Sequence, residues 1–277
     1  VDILADLLIR PAVSSDLEGL KTISSATWDG YDYLADVAPA WIEDGGFFVG
    51  TSGGAVVACA KLSTLPGGTA WLEGLRVLPA FQGLGYGRLI SEFVNRRALE
   101  MVAGGSASSI EFCTYYKNDR SIALSRKTGF EVVETFVCLS AWPAGSLAAV
   151  SRTDFPAGTL PGYPGRVPLG WKTPLNLPET ASWLATRADA WMSDGAGFFG
   201  NRAGSFTLQE SGLERPGAAA SGILATAALT GSDGAEVMLP SDRPDVVEAF
   251  LDRGYDWWEE PREANVLVFR RTGRPRI

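Results

Sequence analysis

Apolar and polar positions change period along this chain, and each change marks an element. Residues 7–13, 47–51, 55–64 and 71–78 are short runs rich in branched and aromatic side chains, closed off by turn residues, and they predict strands. Ser52-Gly53-Gly54 and Pro66-Gly67-Gly68 supply the turns between the last three. Ser14-Ser15-Asp16 with Glu18 is an N-cap cluster that predicts a helix to about residue 26, and a second helical stretch ends near residue 43. From Arg88 the apolar spacing becomes three-and-four, through Leu89, Ile90, Phe93, Val94, Met101 and Val102, which predicts one long amphipathic helix ended by Gly104-Gly105. A strand over 109–115, a helix over 118–128 ended by Gly129, and a strand over 130–139 follow. The order is strand, helix, helix, three strands, helix, strand, helix, strand, which is a layered α/β arrangement.

Beyond residue 142 the texture changes. Seven of the 16 prolines fall in residues 143–178, among glycines and with few long apolar runs, so this stretch predicts a linker or an extended wrap. Further on, the pattern predicts a helix over 179–192, strands over 198–208, 222–229, 235–239 and 263–271, and a helix over 242–253. The expected division is therefore a domain over 1–142, a linker over 143–178, and a smaller α+β domain over 179–277. There is a faint internal echo. Phe47-Phe48 recurs as Phe198-Phe199, and Gly129-Phe130 recurs as Gly254-Tyr255, with a shorter interval in the second half. The second half is then either a shortened copy without a glycine loop and its helix, or an unrelated domain.

Composition narrows the chemistry. Histidine is absent, which removes the commonest general base and transition-metal ligand and leaves carboxylates, tyrosine, lysine, cysteine or water. Cys59, Cys113 and Cys138 stand far apart in apolar segments and read as reduced thiols; no metal site is expected. The net charge of −8, without any basic run, argues against a nucleic-acid binder. No signal-peptide pattern and no apolar run approaching the ~20 residues of a membrane span is read, so a cytoplasmic protein without membrane association is expected, as a monomer or homodimer.

Between the strand ending at Pro79 and the long helix lies Gln82-Gly83-Leu84-Gly85-Tyr86-Gly87-Arg88. Glycines at alternate positions before a helix start let bare N–H groups converge on an anion, with the helix dipole adding favourable potential. A dinucleotide fingerprint needs its last glycine one position later, and the Gly-Lys-Ser/Thr of a P-loop is absent. The spacing Gln82-x-x-Gly85-x-Gly87 directly after a strand resembles the acyl-CoA motif of the GNAT superfamily of N-acetyltransferases. Asn118, Ser121, Leu124, Gly129 and Phe130 stand at that family's spacing in the next helix. The resemblance covers residues 7–142 in element order and is sharpest over 71–130. It implies a mixed central sheet flanked by helices, with acetyl-CoA as cosubstrate. Leu75, Arg76 and Val77 would offer the strand edge to the pantetheine, Gln82, Gly83, Leu84, Gly85, Tyr86, Gly87 and Arg88 would hold the pyrophosphate, and Asn118 would complete the cofactor set.

The resemblance also implies acetyl transfer to the primary amine of a small molecule. Glu73, in the strand that lines the wedge, is the expected base, the alternative being a carboxylate on the outer face bonded to a neighbour. Many relatives carry a tyrosine seven residues after the asparagine to protonate the departing thiolate; here that position is Ser125. Tyr116 is the expected substitute, with Tyr115 or solvent as alternatives. This departure keeps open a non-catalytic acyl-CoA-binding or regulatory protein. An acidic and aromatic cluster containing Trp28, Tyr31 and Asp32 could surround a cationic acceptor, as an ordinary polar loop also could. Trp257-Trp258-Glu259-Glu260 is a similar cluster in the second half.

Overall fold

A computed structural model describes residues 7–30, 32–142, 148–156 and 158–271. The chain forms two compact units, Val1–Phe112 and Cys113–Ile277. The division falls inside a strand, ahead of the expected boundary at residue 142.

In the first unit the elements are β1 (Leu8–Pro11), α1 (Leu17–Ser25), α2 (Leu34–Asp44), β2 (Phe47–Ser52), β3 (Ala55–Leu65), β4 (Thr69–Val77), α3 (Tyr86–Ala103) and the start of β5 (Ser109–Tyr115). β1 to β4 pair antiparallel in sequence order. β5 joins β4 in parallel, as a strand must when a helix carries the chain across. Trp41, Phe47, Leu20 and Ile23 close one core between the first two helices and the sheet. On α3, Tyr86, Ile90, Val94 and Ala98 form a buried stripe at four-residue spacing, and Ile90 and Val94 pack on Ala58 and Ala60 of β3. The buried Lys61 ammonium donates to the carbonyls of Trp41 and Gly45, so a strand cation caps the C-terminal end of α2.

Two irregularities in β4 shape the site. Lys61 pairs with Glu73 and Cys59 with Arg76, so Gly74 and Leu75 together face Ala60, which makes a β-bulge. Gly74 has φ +67°, and a Cβ there would lie 2.5 Å from the Trp41 ring. Only glycine fits, and the bulge turns the rest of β4. The parallel ladder to β5 then covers only Thr69, Ala70 and Trp71, leaving the later part of β4 outside it.

The second unit holds the end of β5, α4 (Asp119–Lys127), β6 (Phe130–Ala141), β7 (Ser151–Thr153), α5 (Pro178–Ala185), β8 (Asp189–Ser193), β9 (Ala196–Gly200), β10 (Ser205–Leu208), α6 (Glu210–Glu214), α7 (Pro216–Thr230), β11 (Ala235–Pro240), α8 (Pro244–Leu251) and β12 (Val266–Arg271). Its strands lie in the order β12-β6-β11-β10-β9-β8-β7. All pairs run antiparallel except β10 with β11. Phe198, Phe199, Phe206, Phe250 and Trp191 fill its core.

Four expectations change here. The stretch 222–229 is part of α7, not a strand. Its Ala-rich sequence is strongly helix-forming, Pro216 opens it and Gly231, left-handed at φ +70°, closes it. Because α7 is buried on nearly every side, no three-and-four stripe betrays it. The helix expected over 179–192 ends at Ala185, and β8 and β9 then form a hairpin around Asp194-Gly195, both at positive φ. The single strand expected over 198–208 is two, reversed where the Asn201 side chain accepts from the Ala203 and Ser205 amides. The proline-rich stretch is no linker. Leu160, Tyr163, Arg166, Val167 and Leu169 are buried, and β7 pairs with β8; residues 143–147 and 157 lie outside the described residues.

The element order β1-α1-α2-β2-β3-β4-α3-β5-α4-β6 is answered by β7-α5-β8-β9-β10-α7-β11-α8-β12, with α6 added before α7 and one early helix lacking. The directions of pairing match as well, including the one short parallel pairing, β4 with β5 and β10 with β11. The helix that the sequence pattern left out of the second half is therefore present.

Candidate active site

The glycine loop is built from its own φ angles. Gly83 and Gly85 are left-handed, at φ +81° and +83°, a conformation that costs other residues about 1–2 kcal/mol. Gly85 is also the N-cap of α3, and no side chain caps that helix start. The first N–H groups of an eighteen-residue helix thus have neither an intrahelical acceptor nor a capping oxygen. Tyr86 anchors the loop from beneath: its ring is buried and stacked on Phe81, and its hydroxyl lies 3.2 Å from Ser52 Oγ. Leu84 is exposed.

Gly87 is different. It lies in the first turn with ordinary helical backbone, and a Cβ there would meet only Val77 Cγ2, at 3.4 Å. Neither backbone angle nor packing calls for glycine. A bare position at a helix entrance, in a turn that alanine would favour, suits a ligand that comes up against the backbone. Arg88 beside it holds Glu92 at 3.0 Å in an exposed pair, which a phosphate can readily replace.

On β4 the carbonyls of Leu75 and Val77 are engaged by side chains. Arg76 Nη1 donates to Leu75 O at 3.0 Å, and Gln82 Nε2 donates to Val77 O at 3.2 Å. Glu73 is half-buried at the bulge, and Ser63 Oγ donates to its Oε1 at 2.6 Å. Glu111 on β5, fully buried and accepting from Ser109 Oγ, stands opposite Trp71 where the ladder ends. Sequence reasoning passed over it, although a lone carboxylate inside Ser-Ile-Glu-Phe-Cys was a visible signal.

Each of the two acidic–aromatic clusters holds a cation of the chain itself. Asp32 accepts from Arg76 Nε and Nη2, each at 3.1 Å, and its carboxylate is buried. Trp28 lies over the same guanidinium, 4.3 Å from ring centre to Cζ, with Tyr33 at 5.5 Å. Trp28 adopts φ +47°, an uncommon angle for a tryptophan, in making that stack. Trp28 and Asp32 are thus saturated by Arg76, while Tyr31 lies outside the described residues. In the second cluster Glu259 pairs with Lys117 at 2.8 Å, and Trp258 packs between Tyr115 and Trp171.

On α4, Asn118 is the N-cap: its Oδ1 accepts from Ser121 N at 3.4 Å, and its Nδ2 donates to Thr114 Oγ1 at 3.0 Å. Ser125 is buried in the same helix. The Tyr116 hydroxyl donates to Pro261 O at 3.0 Å, so its proton is committed to a backbone carbonyl. Burial, together with Glu259, pushes the Tyr115 phenol well above its ordinary range, which makes it a reluctant proton donor. None of the three cysteines is in a disulfide; burial raises Cys59 to about 12 and carries Cys138 well above its usual value, so neither is a ready nucleophile. Among the described residues there is no cluster that could hold a metal ion, and no helix is long and apolar enough to cross a membrane.

No curated protein matches the sequence. Three solved structures share the fold over nearly the whole chain. A candidate acetyltransferase from Pyrococcus horikoshii has a TM-score of 0.66 at 13% identity, covering 97% of this chain and 90% of its own. One from Thermoplasma acidophilum has 0.64 at 17%, covering 95% and 98%. A GCN5-related N-acetyltransferase from Sphaerobacter thermophilus has 0.64 at 13%, covering 97% of each. At such identities the likeness is one of fold. The family description that matches the sequence itself is "Acetyltransferase (GNAT) family", over residues 17–130, the stretch that contains the bulged strand, the glycine loop and α4. The segment 17–130 belongs to the acetyltransferase (GNAT) family, and the chain has that family's mixed α/β fold.

Proposed function

We propose that this protein is an N-acetyltransferase that moves an acetyl group from acetyl-CoA to the primary amine of a small molecule. The observation that carries the reading is Gly87, a glycine that the fold does not require, at the uncapped start of α3. The N–H groups of residues 83–88 would take the pyrophosphate, and the β4 edge at Leu75, Arg76 and Val77 the amides of the pantetheine. The bonds from Arg76 and Gln82 to that edge are of the kind a ligand amide can replace. Asn118 stays in the proposed cofactor set through the family resemblance, alongside its capping role.

Glu73 is the proposed proton acceptor, held in orientation by Ser63. The amine nitrogen attacks the thioester carbon, the carbon–sulfur bond breaks, the ammonium proton passes to Glu73 directly or through water, and the thiolate takes its proton from solvent. Solvent has this last role because Ser125 stands at the usual tyrosine position and Tyr116 is engaged with Pro261. That same departure supports a second reading, a protein that binds acyl-CoA without turnover.

Calorimetry with CoA, followed by a panel of small amines with thiol-release detection, separates the readings. Binding at tens of micromolar with thiol release supports the enzyme; binding without release for any amine supports the second reading; no binding removes both. Glu73→Gln is expected to lower kcat by about 100-fold and leave CoA affinity within about twofold. An unchanged rate excludes Glu73 as base.

A further inference from the structure

The second unit repeats the strand–helix junction of the first, with a short parallel pairing of β10 to β11 that ends at Phe206 and Val237. Here the chain itself lies against the strand. Residues 165–176 fold back as a narrow hairpin: Val167 N donates to Pro174 O, Leu169 and Lys172 exchange backbone bonds, and Asn176 N donates to Gly165 O. Gly170, at φ +54°, makes the tip and rests against Ser205 at the start of β10. Thr207 Oγ1 donates to Pro168 O. Gln209 N is bonded to Gly197 of β9, so the Leu208 amide, one residue before it, faces the other edge, and the buried Tyr163 hydroxyl lies near it. Gly162 passes so close to α6 that a Cβ would lie 2.5 Å from Leu213 Cδ1. The buried Arg166 fixes the strap, 3.3 Å from Glu134 and donating to Thr173 O at 2.9 Å.

The anion-binding end of the junction is also altered. Between β10 and α7 stands α6, with Glu210 and Glu214, in place of a glycine loop. Pro216 at the first position of α7 has no N–H to offer, and of the amides that follow it those of Ala218 and Ala219 both donate to Arg215 O. With one donor missing and no glycine loop, this helix start offers an anion fewer bare N–H groups than the start of α3 does.

We infer that the strap over residues 158–177 permanently occupies the cofactor groove of the second repeat, so that the chain takes one CoA and not two. The count of one rests on the proposed function of the first repeat; the filling of the second groove by the strap does not. The strap lies where one early helix of the first repeat has no counterpart, so it serves as cover for the sheet and as filling for the groove.

Amide hydrogen exchange on the full chain, with and without CoA, together with native mass spectrometry, tests this. The amides of Val167, Leu169 and Asn176 are expected to exchange as slowly as those of β10 and β11 and to be indifferent to CoA, while residues 83–88 slow on its addition and a single CoA adds to the chain. Arg166→Leu is expected to speed strap exchange at least about tenfold without adding a second CoA, since the acidic α6 and Pro216 remain. Fast exchange of the strap in the unaltered chain, a response of the strap to CoA, or a second bound CoA overturns the inference. If no CoA binds, the proposed function fails, and strap exchange still decides whether the groove is filled.

Discussion

Gly87→Ala separates a structural glycine from a ligand-facing one because the two roles predict opposite signs. The new Cβ meets only Val77 Cγ2, at 3.4 Å, which is ordinary contact. Gly87 is in the first turn of α3 and not at a left-handed angle, so alanine removes unfolded-state freedom at no steric cost. Replacements of that kind stabilise by about 0.4–1 kcal/mol. If the pyrophosphate lies against this turn, the same methyl group keeps it from the N–H donors, and loss of one charge-assisted bond weakens CoA by roughly tenfold or more, about 1.5–3 kcal/mol. Urea unfolding gives the first quantity and calorimetry the second. Gly85→Ala is the control: at φ +83° it is expected to destabilise by about 1–2 kcal/mol, so it loses stability where Gly87→Ala gains it. A Gly87→Ala protein that binds CoA as well as the parent refutes the placement of the phosphate. One that is destabilised by more than about 1 kcal/mol refutes the claim that the fold leaves this position free.

Two further outcomes follow from buried charges. Asp32→Ala leaves the Arg76 guanidinium, 12% exposed, without its carboxylate and is expected to destabilise the protein by about 3 kcal/mol in urea unfolding; a loss under about 1 kcal/mol would show that Arg76 swings out to water. Glu236 is raised by burial from 4.5 to about 7, so between those values the folded protein binds the extra proton and stability falls as pH rises. Glu236→Gln is expected to flatten that fall, with a larger gain in Tm over the parent at pH 8 than at pH 5, and equal gains at both would refute the assignment.

The first half was legible because its signals are local. A glycine at a left-handed angle, a proline after a strand and an apolar stripe on a half-exposed helix each announce themselves within a few residues, and Gly83, Gly85, Ile90 and Val94 fall where the pattern put them, while Tyr86 and Ala98 complete the buried stripe in place of Met101 and Val102. The second half hid its elements behind burial. Once α7 is surrounded, alanines on every face serve equally well and the period vanishes. The proline-rich stretch looked like a linker because prolines suppress regular pattern, but Leu160, Val167 and Leu169 go inward while Asn176 holds the carbonyls of Leu160 and Tyr163. In the site, the sequence leaves open whether the acidic and aromatic residues near Asp32 surround a cationic acceptor or form an ordinary polar loop, because Arg76, distant in sequence, is invisible to any local pattern. The Asp194-Gly195 turn is legible in the sequence, but the helical spacing over 179–192 runs up to it and hides the strand before it.

One strand–helix junction occurs twice in this chain, and on the proposed reading few residues separate the copy that receives an anion from the copy that does not. Both copies end a short parallel pairing and both lead into a helix of useful length. In the first, Gly83 and Gly85 bend the chain so that α3 begins with its amides bare, and Gly87 keeps the approach open. In the second, a proline takes one donor, the Ala218 amide is spent on Arg215, and α6 with Glu210 and Glu214 stands in place of the glycine loop. Neither set of changes disturbs the sheet or its core, because the loop lies outside both. On the proposed reading the second repeat keeps the fold without the ligand site, and residues of the strap cover the apolar side chains beside β10. On this view the strap is a consequence of the lost site: Tyr163, Pro168 and Gly170 lie against β10 because an open groove in a repeat that binds nothing would expose Phe206 and Leu208 to water.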